Sequence, residues 1–463
     1  MQNILFVDLD ESLVRTDVFH EQFFRYLLLS PIKALRLIFR SKLSPETIKS
    51  SLSDLVDTDA TTLPYNKEVM KQIEQAKDAG YKIVLATAAH EKIAGKVAQY
   101  LGVFDDVIAT TDTYNCKGLN KLKKMQEYAQ GNPFEYIGDS QADIAIFNQA
   151  KKSYVVGSLN YDNAVRIKGR PPIPKSILKA MRPHQWAKNS LIFLPLLTSH
   201  TFNASEVLIS LFGFVCFSLA ASAVYIINDM LDIEDDRRHL SKRNRPFAKG
   251  MLSIKQGIFI SGILFLATLF LSYILLYHGI VVLCVYIALT FFYSSYLKSQ
   301  PMMDVFCLSL LYSIRVFYGH VINGIDQSSW LLAFCSFFFL SLAFMKRSAE
   351  IEKVATKAES LAQRRGYGQK DEFLLKTAGI CSGLISILVL CLYISSEKVS
   401  ILYANPDFLW AAAYVLLFWK LRMWLITTRG KMDQDPVLYT LKDPVSYVVA
   451  GLVIIFGLFA KVF

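Results

Sequence analysis

The sequence YIINDMLDIEDDRRH occupies residues 225–239, where a long apolar run gives way to clustered acidic residues. At about 100° per residue on a helix, Asn228, Asp232 and Asp236 fall within one quadrant, with Asp229 at its edge. Carboxylates gathered in this way repel one another unless a cation joins them, and oxygen ligands suit Mg²⁺, which also bridges to substrate phosphates. Ionisable side chains at a membrane segment are costly and usually functional. The stretch therefore predicts a magnesium site at one end of a helical bundle.

Apolar segments of membrane-spanning length continue from this stretch to the C-terminus. A hydrophobic fraction of 53% in 463 residues is too high for an ordinary soluble enzyme, and 13% aromatic residues exclude a disordered chain. A membrane-crossing helix needs about 20 apolar residues. The sequence predicts nine segments, at about 190–203, 206–227, 256–277, 279–297, 302–322, 329–345, 374–395, 406–425 and 444–462. The first is short for a span and contains Pro195.

Basic residues are more numerous than acidic ones, 50 against 39, and they are unevenly placed. They concentrate in the connections after the second, fourth, sixth and eighth segments, whereas the opposite connections carry essentially only Lys398. This is the positive-inside pattern. It predicts a multi-pass protein of a bacterial-type inner membrane, with these loops and the N-terminal domain in the cytoplasm. The positive charge therefore reflects membrane topology, and we expect no nucleic-acid partner.

The acidic stretch resembles the first aspartate-rich motif of the UbiA superfamily of intramembrane prenyltransferases, since Asn228-Asp229-x-x-Asp232-x-x-x-Asp236 is followed by Arg245-Pro246. Segments 182–189 (RPHQWAKN), 293–298 (YSSYLK) and 346–350 (KRSAE) are similar to its decaprenyl-phosphate phosphoribosyltransferase branch. Enzymes that join a prenyl diphosphate to an aromatic acceptor carry a second aspartate-rich motif where this chain has the basic segment 346–350. The resemblance implies transfer of 5-phosphoribose from phosphoribosyl diphosphate to a polyprenyl phosphate in the bilayer.

The resemblance also suggests roles for individual residues. Asn228, Asp232 and Asp236 would hold Mg²⁺, and the two aspartates would take part in catalysis. Tyr296 would lie near the sugar. The expected phosphate contacts are Arg182, Lys188, Lys242, Arg245, Lys298 and Lys346. Because the lipid phosphate is already anionic, catalysis would rest on positioning and on stabilising the leaving diphosphate.

The first 160 residues show a different pattern, in which short apolar strands end in polar residues. Strands are predicted at 4–8, 81–87 and 134–138, with helical segments between them. This alternation predicts an α/β domain with a parallel sheet, whose active site lies at the carboxyl ends of the strands. The polar residues at these ends, together with a lysine before a helical stretch, are Asp8, Asp10, Thr87, Lys117, Asp139 and Asp143.

This ordered set resembles the haloacid dehalogenase-like (HAD) hydrolases. The resemblance implies that Asp8 attacks phosphorus to form an aspartyl-phosphate and that Asp10 acts as general acid and base. Thr87 and Lys117 would hold the transferring phosphoryl group. The Mg²⁺ ligands would be Asp8, Asp139 and Asp143.

We therefore expect a HAD-like phosphatase domain at 1–160 with a helical cap at about 15–75, a linker at 161–180, and an all-α membrane transferase domain at 181–463. The leading hypothesis is a two-step enzyme of cell-envelope biosynthesis, which makes polyprenylphosphoryl 5-phosphoribose and then dephosphorylates it to polyprenylphosphoryl ribose. One alternative is an aromatic prenyltransferase fused to a phosphatase of separate purpose. Another is a polyprenyl-phosphate transporter or scaffold.

Overall fold

The computed structural model describes residues 2–30, 32–34, 45–200, 203–239, 242–356, 366–433 and 435–463. The chain forms two compact units. The first combines Met1–Arg182 with Tyr225–Ile263, and the second combines Pro183–Val224 with Leu264–Phe463. The acidic stretch 225–239 therefore belongs to the same compact unit as the N-terminal domain.

A six-stranded parallel sheet forms the centre of the N-terminal domain. Its strands are β1 (Ile4–Val7), β2 (Lys82–His90), β3 (Asp106–Thr110), β4 (Phe134–Gly138), β5 (Lys152–Val156) and β6 (Ala164–Ile167). They lie in the order β3-β2-β1-β4-β5-β6. β1 pairs with both β2 and β4, which places Val7 beside Leu85 and Ile137. Since parallel strands end at the same edge, the residues that follow β1 and β4 are brought together.

Alternate residues of β1 pack on opposite faces of the sheet. Leu5 and Val7 belong to one buried cluster, and Ile4 and Phe6 belong to another. A strand that is apolar on both faces needs helices on both sides, which is the α/β arrangement predicted from the sequence. The helices of this domain are α1 (Val18–Leu29), α2 (Pro45–Leu55), α3 (Lys67–Asp78), α4 (Glu91–Leu101), α5 (Leu119–Ala129), α6 (Ile144–Phe147) and α7 (Ile173–Met181). The predicted fold class is confirmed.

The segment expected to form a cap contains α1 and α2, while residues 31 and 35–44 within it lie outside the described residues. Tyr26, Leu52 and Val56 form a small buried cluster between the two helices. Asp17 caps the start of α1, since its carboxylate accepts a hydrogen bond from the His20 amide (3.0 Å). The cap thus has a small core of its own.

The segment expected to be a linker, 161–180, contributes β6 and most of α7. Arg170 Nη2 donates hydrogen bonds to Glu11 Oε1 (3.0 Å) and to the Arg15 carbonyl (3.2 Å). The segment is therefore packed against the N-terminal domain.

The remaining chain is helical. Its α-helices are α8 (Leu194–Ser199), α9 (Ala204–Leu231), α10 (Ile233–Arg238), α11 (Ile254–Leu275), α12 (Ile280–Ser295), α13 (Met303–Asn323), α14 (Ser329–Thr356), α15 (Glu372–Ile394), α16 (Glu397–Leu402), α17 (Asp407–Thr428), α18 (Pro436–Thr440) and α19 (Pro444–Val462). Among the described residues, eight helices are long and apolar enough to cross a membrane: α9, α11, α12, α13, α14, α15, α17 and α19. The predicted membrane bundle is confirmed.

The first predicted span, at 190–203, is not among these eight helices. Pro183–Phe193 form a 3₁₀ helix, and α8 then has only six residues, with Pro195 in its first turn. Proline has no backbone N–H to donate, so Pro195 cannot extend the α-helix back into the residues that precede it. The six residues of α8 rise only about 9 Å. The prediction of nine spans is therefore corrected to eight for the part of the chain that the structure describes.

The acidic stretch is not the single continuous helix that the sequence argument assumed. α9 ends at Leu231 and α10 begins at Ile233, with Asp232 between them at φ −94° and ψ 15°. This backbone conformation lies near the bridge region, outside the helical one. The Asp232 amide still donates to the Asn228 carbonyl (3.0 Å), and the Asp236 amide donates to the Asp232 carbonyl (2.8 Å). Hydrogen bonds of helical spacing thus persist on both sides of Asp232, although its own backbone leaves the helical conformation.

Candidate active sites

Acidic side chains converge where β1 and β4 end. Asp8 follows β1 directly, and its amide donates a hydrogen bond to the Ile137 carbonyl (2.9 Å). Asp139 follows β4, and Asp143 ends the short 3₁₀ helix that comes next. One carboxylate oxygen from each of Asp8, Asp139 and Asp143 lies within 4.8 Å of the others. The structure thus brings together the three carboxylates that the HAD resemblance assigns to Mg²⁺.

Burial makes Asp8 and Asp139 hard to ionise without a cation. It raises the pKa of Asp8 to about 6, although the charge of Lys121 opposes the shift. Burial, with the charge of Asp8 as the next cause, raises the pKa of Asp139 to about 8. A divalent cation would remove both the repulsion and the desolvation penalty. The donor set therefore fits Mg²⁺.

Asp10 lies in the turn after β1, and its side chain links this turn to the first helix of the cap. Its Oδ1 accepts a hydrogen bond from the amide of Val18, the first residue of α1 (2.9 Å). Burial, with the charge of Asp17 as the next cause, raises the pKa of Asp10 well above its usual value. A carboxyl group with a raised pKa can carry a proton near neutral pH, as a general acid must.

Lys121, rather than Lys117, contacts the acidic cluster. Lys121 Nζ lies 3.2 Å from Asp8 Oδ1 and 2.9 Å from Asp143 Oδ1, and the residue is 2% exposed. It also donates to the Tyr136 hydroxyl (2.7 Å). Lys117 is exposed and lies on the wall of the same pocket. The sequence argument did not select Lys121, which lies about one helical turn further along, in the first turn of α5.

Thr87 is fully buried within β2, which continues to His90. Its hydroxyl accepts a hydrogen bond from the Ala89 amide (3.0 Å). The pocket wall at this point contains Ala88, Ala89 and His90. The contact of Thr87 with a phosphoryl group stays a prediction.

Binding of Mg²⁺ at the Asp8 cluster is expected to weaken as the pH falls. Protonation of Asp139 below about pH 8, and of Asp8 below about pH 6, makes the cation compete with protons. The Kd should rise by up to about tenfold per pH unit between pH 8 and pH 6. Isothermal titration calorimetry on the full chain measures this dependence, and the Asp139→Asn variant identifies the binding event that belongs to the cluster. A Kd that stays constant over this range would contradict the assignment.

A second charged cluster forms around Arg245. Its Nη1 lies 2.9 and 2.7 Å from the two carboxylate oxygens of Asp236 and 3.2 Å from Asp229 Oδ1. Arg182 pairs with the same Asp229 oxygen and lies over the Tyr225 ring, 5.4 Å from its centroid. Asp229 and Asp236 are both buried. The structure therefore joins Arg182 and Arg245 to the acidic stretch, and it does so partly through Asp229, which the sequence argument left at the edge.

The environment of this cluster is compatible with a cation. Among the described residues, Asn228 Oδ1 and Asp229 Oδ2 are buried oxygens without a hydrogen-bond partner, which is costly unless a ligand satisfies them. Burial raises the pKa of Asp236 to about 6, against the opposing charge of Arg245. Asp232 is half-buried, and Lys242 follows in the turn Lys242–Asn244. Within the described chain, the carboxylates here form no triad as tight as the Asp8 cluster. Metal binding by Asn228, Asp232 and Asp236 stays a prediction.

Lys188 and Lys346 lie around Asp435 in the second compact unit. Lys188 Nζ forms an ion pair with Asp435 Oδ2 and lies 5.8 Å from the centroid of the Tyr312 ring. Burial opposes ionisation of Asp435, but the charges of Lys188 and Lys346 hold its pKa below its usual value. Asp435 also caps α18 by accepting a hydrogen bond from the Val437 amide (3.1 Å). The sequence argument missed Asp435, which is 247 residues away from Lys188 along the chain.

Arg347, the neighbour of Lys346, belongs to a buried network. It pairs with Asp304 and donates to the Tyr293 hydroxyl (2.8 Å). The Tyr367 hydroxyl donates to the other oxygen of Asp304 (2.6 Å). These contacts hold the Arg347 guanidinium inside the bundle, so Arg347 stabilises the packing of the helices.

Tyr296 and Lys298 lie just beyond α12. Tyr296 is 55% exposed and stacks on Phe292, with 5.9 Å between the ring centroids. Lys298 is half-buried in the turn Leu297–Ser299. Their roles near the sugar and at a phosphate stay predictions.

Known proteins resemble this chain in both of its halves. Residues 190–442 match the UbiA prenyltransferase family, and residues 5–148 match the haloacid dehalogenase-like hydrolases. An uncharacterized protein y4nM of Sinorhizobium fredii is 35% identical over 97% of this chain and 89% of its own length. Nodulation protein NoeC of Azorhizobium caulinodans is 30% identical over 59% and 90%.

The decaprenyl-phosphate phosphoribosyltransferase of Corynebacterium glutamicum is 35% identical over 40% of this chain and 58% of its own length. The HAD-like match contains the Asp8 cluster, and the UbiA match contains the acidic stretch and Arg245. The chain belongs to the UbiA prenyltransferase family and is a multi-pass membrane transferase fused to an N-terminal HAD-like hydrolase domain.

Proposed function

We propose that the protein transfers 5-phosphoribose from phosphoribosyl diphosphate to a polyprenyl phosphate and then removes the 5-phosphate. The observation that carries this proposal is an ion pair within the first compact unit. Arg237 Nη1 and Nη2 lie 2.9 and 2.7 Å from the two oxygens of Glu21, and both side chains are largely buried. Arg237 follows Asp236, and Glu21 lies on α1, whose Val18 amide binds Asp10. The ion pair thus joins the residue that follows Asp236 to the helix whose first amide binds Asp10, and two consecutive steps on one lipid would favour such a link.

The transfer step depends on anion binding more than on proton transfer. The lipid phosphate is already anionic and attacks C1 of the donor while diphosphate leaves. The phosphate contacts that we expect stay those predicted from the sequence, namely Arg182, Lys188, Lys242, Arg245, Lys298 and Lys346. Bound Mg²⁺ would neutralise charge on the leaving diphosphate.

In the hydrolysis step, Asp8 attacks the phosphorus of the 5-phosphate and the 5-oxygen of the sugar leaves. Asp10 donates the proton that this oxygen takes up, and it later accepts a proton from the water that cleaves the aspartyl-phosphate. Lys121, held between Asp8 and Asp143, stabilises the negative charge of the transferring phosphoryl group. The products are polyprenylphosphoryl ribose and inorganic phosphate.

The similarity to a decaprenyl-phosphate phosphoribosyltransferase supports this choice of donor and acceptor. The alternative is transfer of a prenyl group to an aromatic acceptor, with the hydrolase serving a separate purpose. The chemistry of segment 346–350 favours the phosphoribosyl donor, because Lys346 lies beside the Lys188–Asp435 pair and adds positive charge there. Membership of an enzyme family disfavours a transporter or scaffold.

We place both active sites on the cytoplasmic side of a bacterial-type inner membrane. The support is the concentration of lysine and arginine in the connections that follow α9, α12, α14 and α17. Phosphoribosyl diphosphate is a charged, water-soluble donor, so a cytoplasmic site would give it direct access.

The proposed transfer can be tested with the purified full chain in detergent. The protein is incubated with polyprenyl phosphate, phosphoribosyl diphosphate labelled in the ribose, and Mg²⁺. We expect label to enter the organic phase only when the lipid is present. Parallel reactions with a prenyl diphosphate and an aromatic acid should give no product. Label that stays in the aqueous phase, or prenylation of the acid, would contradict the assignment.

Replacing Lys121 with methionine is expected to reduce phosphate release by about a hundredfold or more, because the variant loses the cation that contacts both Asp8 and Asp143. The matched variant Lys117→Met removes an exposed lysine from the same pocket wall and should change the rate by less than about fivefold. Phosphate release from ribose 5-phosphate by the full chain measures both. If Lys117→Met lost more activity than Lys121→Met, the phosphoryl contact would belong to Lys117, as the sequence predicted.

A further inference from the structure

The hydrolase pocket has walls from three parts of the chain. It has a volume of about 470 Å³ and is lined by Asp8 and Asp139 at the sheet edge. The cap contributes Lys49 from α2, and the first turn of α11 contributes Lys255. Since α11 is one of the helices able to cross a membrane, a residue outside the HAD-like region 5–148 helps to form this pocket.

Lys49 and Lys255 place positive charge on the pocket wall. Lys49 Nζ donates to the Ala88 carbonyl (2.6 Å) and to Asn115 Oδ1 (3.2 Å), which fixes its position. Lys255 is exposed and close to Asp17. Burial opposes ionisation of Asp17, but hydrogen bonds and charge from His20, together with the charge of Lys255, lower its pKa. Two hydrogen bonds therefore fix Lys49 on the pocket wall, and Lys255 lies on the same wall near the Asp17 carboxylate.

The phosphoryl chemistry already has its own cation, because Lys121 contacts Asp8 and Asp143. Additional lysines on the wall of the same pocket suit a second anionic group on the same substrate. A pocket of several hundred cubic ångströms has room for a sugar between two such groups. The product of the proposed transfer has this form, with a phosphate on C5 and a phosphodiester on C1.

We propose that Lys255, together with Lys49, forms a subsite for the phosphodiester on C1 of the lipid-linked sugar. This inference rests on the proposed function and specifies the substrate class of the hydrolase. Lys255 is then a specificity-determining residue, and the membrane domain supplies it. The hydrolase should consequently prefer sugar 5-phosphates that carry a second anionic group on C1 to simple monophosphates.

The test compares two soluble probes that differ by one anionic group, ribose 5-phosphate and ribose 1,5-bisphosphate, using the full chain in detergent with Mg²⁺. We expect kcat/KM for release of the 5-phosphate to be about tenfold higher for the bisphosphate, and to lose this advantage at high salt. Lys255→Met should reduce the preference to less than about twofold and leave ribose 5-phosphate unaffected, while Lys255→Arg should retain it.

The matched control is Lys249→Met, which removes an exposed lysine from the preceding loop, outside the pocket lining. It should keep the preference of the parent protein. Equal rates for the two probes in the parent, or equal losses on both probes in Lys255→Met, would overturn the inference but not the proposed function. Failure to hydrolyse either probe would contradict both the dephosphorylation step and this inference. The transfer step is measured independently, in the assay with labelled donor.

Discussion

The Asp8→Asn variant is expected to stop at polyprenylphosphoryl 5-phosphoribose. Asp8 is the nucleophile of the proposed hydrolysis, and an amide in its place cannot form the aspartyl-phosphate. Phosphate release should fall by at least about a thousandfold. Transfer should stay within about twofold of the parent, since Asp8 is not part of the Arg245 cluster. Mass spectrometry of the lipid extract measures the retained phosphate.

The Asp8→Asn variant is expected to keep the fold. The raised pKa of Asp8 shows that its ionised form is destabilised by burial, so its contribution to stability declines as the pH rises through about 6. A neutral amide of the same size avoids this cost. The control is Asp78→Asn, an exposed aspartate at the end of α3. A variant that still releases phosphate at the parental rate would rule out Asp8 as the nucleophile.

The Asp236→Asn variant is expected to lose transfer and keep hydrolysis. Asp236 holds the Arg245 guanidinium through both carboxylate oxygens, and the amide removes the charge that supports this contact. Transfer should fall by about a hundredfold or more. Because burial raises the pKa of Asp236 to about 6, transfer by the parent should also decline as the pH falls through 6, where the carboxylate takes up a proton.

The matched control is Asp235→Asn, which changes the adjacent, exposed residue of the same helix. It should transfer at close to the parental rate. Both variants are compared in the labelled-donor assay, and release of phosphate from ribose 5-phosphate checks that the hydrolase domain is intact. Full transfer activity in Asp236→Asn would remove the acidic stretch from the proposed mechanism.

The parallel sheet and its acidic edge could be predicted because they depend on local patterns. The strand at residues 4–7 is apolar on both faces, and a strand of that kind must lie inside a sheet covered on both sides. Once the sheet is parallel, Asp8 and Asp139 must lie at the same edge. The membrane helices follow from their length and composition in the same way.

The contact of Lys121 with Asp8 and the helix break at Asp232 depend on three-dimensional geometry, which residue spacing in the sequence does not reveal. Lys117 and Lys121 both precede or open a helical segment, and only the direction of α5 decides which ammonium group reaches Asp8. A single backbone conformation at Asp232 ends α9, and no helix-breaking glycine or proline marks that position. The first predicted span differed for a related reason, since the apolar run from residue 190 is divided between a 3₁₀ helix that ends at Phe193 and the six-residue α8.

Ion pairs between residues far apart in the sequence could not be predicted from local motifs. Asp435 meets Lys188 across 247 residues, and Glu21 meets Arg237 across 216. Neither acid stands in a recognisable motif. These pairs form only when distant elements pack, so charge complementarity along the chain could not have identified them without homologous sequences or a structure.

The central claim is that one chain performs transfer and dephosphorylation in sequence, and a donor with two labels tests it most directly. Phosphoribosyl diphosphate carries ¹⁴C in the ribose and ³²P in the 5-phosphate, and the full chain converts it with polyprenyl phosphate and Mg²⁺. For the parent protein we predict that ¹⁴C accumulates in the lipid, while ³²P appears there briefly and is then released as inorganic phosphate. For Asp8→Asn we predict that both labels stay in the lipid, in the same ratio as in the donor. A parental lipid product that keeps ³²P indefinitely, or ³²P released before any ¹⁴C enters the lipid, would contradict the account.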